Sequence, residues 1–507
     1  MTRKFFAVRT LAVVLIIGFI LTCFSAAQKT PLKVTLLHTN DMHGSYLPAN
    51  ASWLKEKPEI GGLGALDYYV KKERLGSERS LLLDAGDLMT GTLICDLKYH
   101  GVYGGSLINM MNGIGYDGWV FGNHDFDKGA RNLRGLIDIA EFPVFCANMV
   151  KGSENFVDEP YHIYDLNGLR LGVIGITYHP MVGMAPMEKL DGFVSLEPAA
   201  VVNKMVSVID SLTDLIVVLS HSGVDNDREM ARQIKGVDLI IGGHSHTRLE
   251  TPEMVNGVII VQAGSNCRNL GRIDLTVAGD SVMEYSGRLI PMFTEDIKVD
   301  PTLASMIDSL KGEIDKEYAV VIAELKDSWE SEYRSESNIG DWFTEAIRRR
   351  MNTDVAFLNS GGIRKNLPAG PIRKMDIFEI LPFDNKLVTF NLTGAELLKI
   401  AGMNVGLESN SYQGSLQIAG LSYCWRGDSS NFELSDVQVN GIPIDKARTY
   451  TVASIDYVAI SNGDKYFGFA PSNIRQTEES LNQAILEAVS EAKVINSKIE
   501  GRIKKLP

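Results

Sequence analysis

A chain of 507 residues has room for two or more domains, each burying its own core, and its 45% apolar content is that of a packed globular protein, which excludes a disordered chain. With 50 basic against 63 acidic residues the net charge is −13, so the chain lacks the basic footprint that a nucleic-acid polymer requires. A small anionic substrate stays compatible, because a metal centre and a few arginines supply positive charge locally.

Residues 1–27 begin with Arg3-Lys4, continue as an apolar run from Leu11 to Leu21 and end on Ser25-Ala26-Ala27. That pattern is a secretory leader cleaved after Ala27; its apolar core is short for a membrane span, and no further span follows. The mature chain is expected to be exported, to a periplasm or a cell surface. Cys23 stands where a lipid-anchored cysteine would, but Leu21-Thr22 is a poor approach to one. Cys95, Cys146, Cys267 and Cys424 show no paired spacing and read as buried free thiols.

Beyond the leader, strands are expected at Lys33 to His38, Ser80 to Asp84 and Gly118 to Phe121, with helices from Leu63 to Arg74 and Gly105 to Met111. Short strands follow at Pro143 to Cys146, Tyr161 to Asp165, Leu171 to Ile176, Leu215 to Leu219, Leu239 to Ile241 and Val258 to Gln262, with helical stretches such as Pro198 to Ser211 between them. Repeated strand, loop and helix units imply an α/β sandwich. A helix from Thr302 to Lys316 links it to a second unit of mixed helices and strands that begins near Ala319. The expected division is 28–300 catalytic, 301–318 linker and 319–507 substrate-binding.

Polar stretches punctuate the first unit, each directly after an apolar run. They are Leu37-His38-Thr39-Asn40-Asp41-Met42-His43-Gly44, Asp84-Ala85-Gly86-Asp87, Gly122-Asn123-His124-Asp125-Phe126-Asp127, and Ser220-His221-Ser222-Gly223 with Gly242-Gly243-His244-Ser245-His246. Residues two apart on an extended backbone point the same way, so Asp41 with His43, and His244 with His246, are each expected to present two ligands to one point. Carboxylate, imidazole and amide groups without a thiol suit zinc, manganese or iron better than calcium. Asp41, His43, Asp87, Asn123, His221, His244 and His246 exceed what one tetrahedral ion needs, so two divalent cations, zinc or manganese, sharing one bridging carboxylate are expected. Asp84 is expected to be a strand-end hydrogen-bonding residue, and His38, His100, His162 and His179 packed or surface histidines.

The order Asp-x-His, Gly-Asp, Gly-Asn-His-x-x-Asp, His, Gly-His-x-His resembles the calcineurin-like metallophosphoesterases, and more narrowly the secreted 5'-nucleotidase and UDP-sugar hydrolase family. The resemblance implies a four-layer αββα sandwich followed by a smaller α+β substrate-binding domain. It places Asp87 as the bridge, Asp41, His43 and His246 on one ion, and Asn123, His221 and His244 on the other. His124 and Asp127 match the family's dyad. A carboxylate three residues on orients the imidazole, which stabilises charge on the transferring phosphoryl group.

In the second unit, Ser335-Glu336-Ser337-Asn338-Ile339-Gly340-Asp341, Asn359-Ser360-Gly361-Gly362-Ile363-Arg364, Leu381-Pro382-Phe383-Asp384-Asn385, and Tyr457 with Ser461-Asn462-Gly463-Asp464 look like the nucleotidase substrate domain. The resemblance implies that Phe383 and Tyr457 sandwich the base, that Arg334, Arg364 and Asn359 serve the phosphate and its neighbourhood, and that Asp464 binds ribose. Aromatic faces stack on any base, and guanidinium forks bind phosphate oxygens. The family pattern is departed from in three places: Arg334 lies one position nearer Asn338, Tyr457 one position further from Asp464, and Lys465-Tyr466 follows Asp464 where a glycine is usual.

Two ions roughly 3.5 to 4 Å apart can lower the pKa of a water that attacks phosphorus in line with the leaving oxygen. The function expected is hydrolysis of nucleoside 5'-monophosphates, in a cleft between domains that close on a hinge. The alternatives are a 2',3'-cyclic-nucleotide phosphodiesterase, a nucleotide-sugar pyrophosphatase and, in another class, an exported nucleotide-binding protein without chemistry.

Overall fold

The structure, a computed structural model, describes residues 30–51, 54–182, 184–185, 187–383, 385–407 and 414–507. The leader at 1–27, with Cys23, and Asp384 lie outside the described residues. Two sheets face each other in the first half. One runs Val282–Pro291, Asn269–Val277, Leu32–Thr39, Ser80–Asp84, Gly118–Trp119, with the last three strands parallel. The other runs Tyr161–Leu166, Leu169–Ile176, Leu215–Ser220, Leu239–Gly242, Val258–Gln262, Glu253–Val255, with its four inner strands parallel.

Side-chain alternation divides the second sheet between two cores. Val217, Leu219, Leu239, Ile241, Ile259 and Val261 point inward to the core shared with the first sheet. Ile216, Val218, Ile240, Val258 and Ile260 point outward to the helices Pro198–Ile209 and Val224–Gln233. Helices Leu63–Arg74 and Gly105–Ile114 cover the first sheet, which completes four layers, αββα. Parallel strands buried on both faces must be apolar throughout, and Leu215–Leu219 is fully buried. The strand expected at Pro143–Cys146 reduces to one bridge, Trp119 to Val144, because Phe145 and Cys146 turn instead to the Trp119 carbonyl and the Glu159 carbonyl.

Helix Pro301–Tyr318 starts on Asp300, whose carboxylate accepts the N–H groups of Thr302 (2.9 Å) and Leu303 (3.3 Å), with proline in the first turn. Its Leu303 and Ile314 bury in the core of the first half, and its Tyr318 meets Phe378 edge-on at 5.4 Å. Phe378 packs against this core and against a separate one built around Trp329, Phe343, Phe357 and Phe467. That second core holds a five-strand sheet in the order Leu416–Ala419, Val355–Asn359, Thr449–Ile455, Lys386–Thr393, Arg475–Ser480. Strand Val355–Asn359 runs parallel to Thr449–Ile455, and Leu387 pairs with Ile455. Asn359, Tyr457 and Phe383 therefore gather at one end of that sheet. Cys95, Cys146 and Cys267 are buried free thiols, and Cys424 is a half-buried one. Among the described residues no helix is long and apolar enough to cross a membrane.

Candidate active site

Every expected metal ligand follows the carboxyl end of a strand, where parallel α/β sheets open. The side chains form two groups. Asp41, His43 and His246 bring ligand atoms together, and so do Asp87, His221 and His244, within 4.8 Å in each case. Nε2 of His43 lies 3.0 Å from Nε2 of His246, and Asp41 Oδ1 is 3.4 Å from the latter. In the second group His221 Nε2 is 3.1 Å from Asp87 Oδ2, and Asn123 Oδ1 is 2.8 Å from His244 Nδ1. The seven expected ligands thus converge.

They do so by a route other than extended alternation. Asp41, His43, Asp87, His244 and His246 all have positive φ, between 47° and 71°. That left-handed backbone is costly for side-chain-bearing residues, so the surroundings must impose it. Asp41 accepts the His244 N–H on both oxygens (3.1 and 2.9 Å) and the Asn40 amide (2.6 Å). Asp125, buried inside the Asn-His motif, accepts N–H groups of Asp87 (3.1 Å), Met89 (3.0 Å) and Gly122 (2.7 Å), tying two ligand loops together. Gln262 ties a third: it accepts the Thr247 N–H (2.7 Å) and the Ser245 hydroxyl (2.8 Å) and donates to the Gly243 carbonyl (2.6 Å).

The donor set fits divalent cations. Nδ1 of His43 donates to the Met89 carbonyl (3.1 Å) and Nδ1 of His221 to the Ala85 carbonyl (2.6 Å), which leaves each Nε2 free to ligate. His221 Nε2 is buried facing Asp87 Oδ2 at 3.1 Å with no other partner, where a cation could take the place of the proton that Asp87 otherwise favours. A Cβ on Gly122 would stand 2.3 Å from Asp87 Oδ1 and 2.5 Å from His221 Nε2, so glycine keeps this space clear. Burial pulls the His43 and His244 imidazoles down to about 3, which keeps them neutral and ligand-ready. Burial also opposes charge on Asp87, yet the facing His221 and His124 hold its carboxyl well below the usual range. His221 shows the same opposition, and Asp87 wins, raising it to about 10. A site that concentrates buried carboxylate charge in this way is one that attracts cations.

His124 stands beside this centre. Its Nδ1 is 2.9 Å from Asp127 Oδ2, and the Thr90 hydroxyl donates to the same oxygen at 2.7 Å. Burial works against the His124 charge, but Asp127 and Asp87 raise its pKa, while His124 lowers that of Asp127 against burial. Asp84, by contrast, accepts the Thr39 hydroxyl (2.6 Å) and the Gly86 N–H (3.0 Å) and belongs to neither metal group. His38 is buried in its strand, His100 is exposed, His162 faces Glu159 at 3.2 Å, and His179 bonds Ser195.

A cavity of 480 Å³ opens onto the centre, lined by Asn123, His124, Asp127 and His244 on one side and by Asn359, Arg364, Phe383 and Tyr457 on the other. Phe383 packs on His124, ring centroids 5.3 Å apart at 30°, and the Arg364 guanidinium lies 5.7 Å over the same ring. Arg334 and Asp464 are exposed and do not line this cavity; Tyr333 and Lys465 beside them do. Tyr466 and Lys189 also line the cavity, and Tyr178 tilts against His244 at 4.4 Å. Nothing in the sequence distinguished Lys189 or Tyr178 from ordinary surface and core residues.

Comparison with known proteins agrees with this layout. A family described as calcineurin-like phosphoesterase matches residues 34–248, and one described as 5'-nucleotidase, C-terminal domain, matches residues 320–470. The crystal structure of a 5'-nucleotidase precursor from Thermus thermophilus superposes with a TM-score of 0.84 at 28% identity, covering 94% of this chain and 99% of that one. Protein UshA of Yersinia enterocolitica is 27% identical over 497 residues, 85% of this chain and 86% of that protein. The trifunctional nucleotide phosphoesterase YfkN of Bacillus subtilis is 26% identical over 531 residues, 93% of this chain but 35% of that protein.

Proposed function

Because the chain belongs to the calcineurin-like phosphoesterases that carry a C-terminal 5'-nucleotidase domain, we propose that it hydrolyses nucleoside 5'-monophosphates to nucleoside and phosphate. The observation that carries the reading is one cavity walled on one side by two metal-ligand groups and on the other by aromatic rings and an arginine. The proposed division is 28–300 for catalysis, 301–318 as linker and 319–507 for substrate binding, supported by two separate hydrophobic cores.

Asp41, His43 and His246 would hold one cation and Asn123, His221 and His244 the other, with Asp87 between them; zinc and manganese suit these donors. Two such cations would polarise the phosphoryl oxygens and lower the pKa of a water toward neutrality. The chain's own residues do the rest. His124, oriented by Asp127, which favours its cationic form against burial, faces the charge that builds on the phosphoryl group. Arg364 offers a planar fork to phosphate oxygens. Phe383 and Tyr457 give the nucleoside flat apolar faces that tolerate any base. Export to the periplasm or cell surface is part of the proposal, supported by the leader-like residues 1–27.

The test is a panel of AMP, 2',3'-cyclic AMP and UDP-glucose with the metal-loaded protein, reading released phosphate and nucleoside. Cleavage of AMP with the highest kcat/KM is expected, and cleavage of the cyclic substrate alone would overturn the assignment.

A further inference from the structure

A second cavity, of 850 Å³, reaches the same centre from another side. The two share Thr90, His246, Tyr333, Gly361 and Arg364 as a common wall, and His43 faces the second. Their linings differ in charge balance. The first carries four aromatic rings, Tyr333, Phe383, Tyr457 and Tyr466, and sets four cations, Lys128, Lys189, Arg364 and Lys465, against three carboxylates, Asp87, Asp127 and Asp225. The second carries five cations, Arg268, Lys311, Arg364, Lys365 and Arg373, against two carboxylates. Asp315 pairs with Lys311 and Glu379 with Lys365, so the surplus charge is that of the three arginines, Arg268, Arg364 and Arg373. Its lining therefore carries an excess of positive charge, in a crevice that focuses positive potential.

We propose that this second cavity binds inorganic phosphate and is the route by which the phosphate product leaves, so that the two products depart through different cavities. The inference rests on the hydrolytic function proposed above. Hydrolysis breaks the bond from phosphorus to the ester oxygen, which leaves as the nucleoside's hydroxyl after taking one proton from water. The water's oxygen and its other proton remain on phosphorus, giving hydrogen phosphate. With the nucleoside still between the aromatic faces, the dianion's open side is the shared wall, and beyond it lie planar donors matched to tetrahedral oxyanions. Arg364 stands in both linings and hands the ion from one to the other.

The experiment compares the metal-loaded full chain with its Arg373→Glu and Arg373→Lys variants. Arg373 is exposed at the end of strand Gly370–Arg373 and is not one of the expected metal ligands. Calorimetric titration with inorganic phosphate should show a Kd about tenfold weaker for Arg373→Glu and a smaller loss for Arg373→Lys, which keeps the charge but not the planar fork. The inhibition constant of phosphate should rise by the same factor while that of the nucleoside stays fixed. Unchanged phosphate binding in Arg373→Glu, or equal weakening of phosphate and nucleoside, would overturn the proposal. A parent protein that hydrolyses no nucleotide would defeat the function proposed above and with it the exit route, while the calorimetric comparison would still decide whether the phosphate site exists.

Discussion

Phe383 of the C-terminal half lies tilted against His124 of the N-terminal half, centroids 5.3 Å apart at 30°. This contact bridges the two sides of the cavity and sets the ring that should stack a base against the imidazole that should meet the phosphate. Nucleotide entry must separate them, and the freed Phe383 face is then available to the base. Phe383→Ala should raise KM for AMP by about 5- to 150-fold, the equivalent of roughly 1–3 kcal/mol of stacking per base. KM for a small phosphomonoester without a base should change little, and steady-state kinetics on the two substrates checks the difference.

Asn123 and His124 are adjacent in sequence but separate in task. Asn123 Oδ1 lies with His244 Nδ1 in the second metal group, whereas His124 is turned to Asp127. Asn123→Ala should lose metal and activity together. His124→Ala should keep its metal and lose kcat by about 10²- to 10³-fold, the scale of removing one preorganised group that faces transition-state charge. Metal content by elemental analysis, set beside kcat, separates the two.

Gln262 touches neither metal group, yet its three hydrogen bonds hold the Gly243–Thr247 loop that carries His244 and His246 at positive φ. Gln262→Ala should weaken metal affinity by about 10- to 100-fold, as loss of an outer-shell partner does elsewhere. Competition with a metallochromic chelator measures it.

Away from the site, Asp341 and Glu336 pin the last strand. Glu500 N–H donates to Asp341 (2.9 Å), and Arg502 and Ile503 N–H groups donate to Glu336 (2.8 and 2.9 Å). Burial, aided by the neighbouring Glu336 and opposed by the Glu500 N–H and Arg502, pushes the Asp341 carboxyl up to about 8. A carboxyl raised in the folded state binds a proton that the unfolded chain has lost, so its stabilising contribution is complete below about pH 4 and disappears as pH rises through 8. Asp341→Asn, which keeps an acceptor and a donor without the charge, should gain Tm over the parent as pH rises from 5 to 8.5. Thermal unfolding at the two pH values checks the sign.

The strands and ligand motifs were legible because their causes are local. Short β-branched apolar runs such as Leu215–Leu219, closed by polar loops, suit buried strands, and His221, His244 and Asp87 come directly after such runs. The backbone that aims them was not legible: positive φ at Asp41, His43, Asp87, His244 and His246 is imposed by Asp125, Gln262 and other partners distant along the chain. Pro143–Cys146 has strand-like composition, but only Val144 finds a bridge partner. Which residue of Tyr333-Arg334 faces the cavity depends on how Ser360 and Ser415 bond the Tyr333 carbonyl, a tertiary arrangement that spacing alone does not encode.

The most direct test is metal titration of the chelator-stripped protein, with bound metal and phosphate release from AMP followed together. Activity that returns only as the second equivalent of zinc or manganese binds, and that Asp87→Asn abolishes, is the predicted result. Full phosphate release from metal-free protein, or nucleotide binding with no hydrolysis at any metal loading, would contradict a two-cation hydrolase.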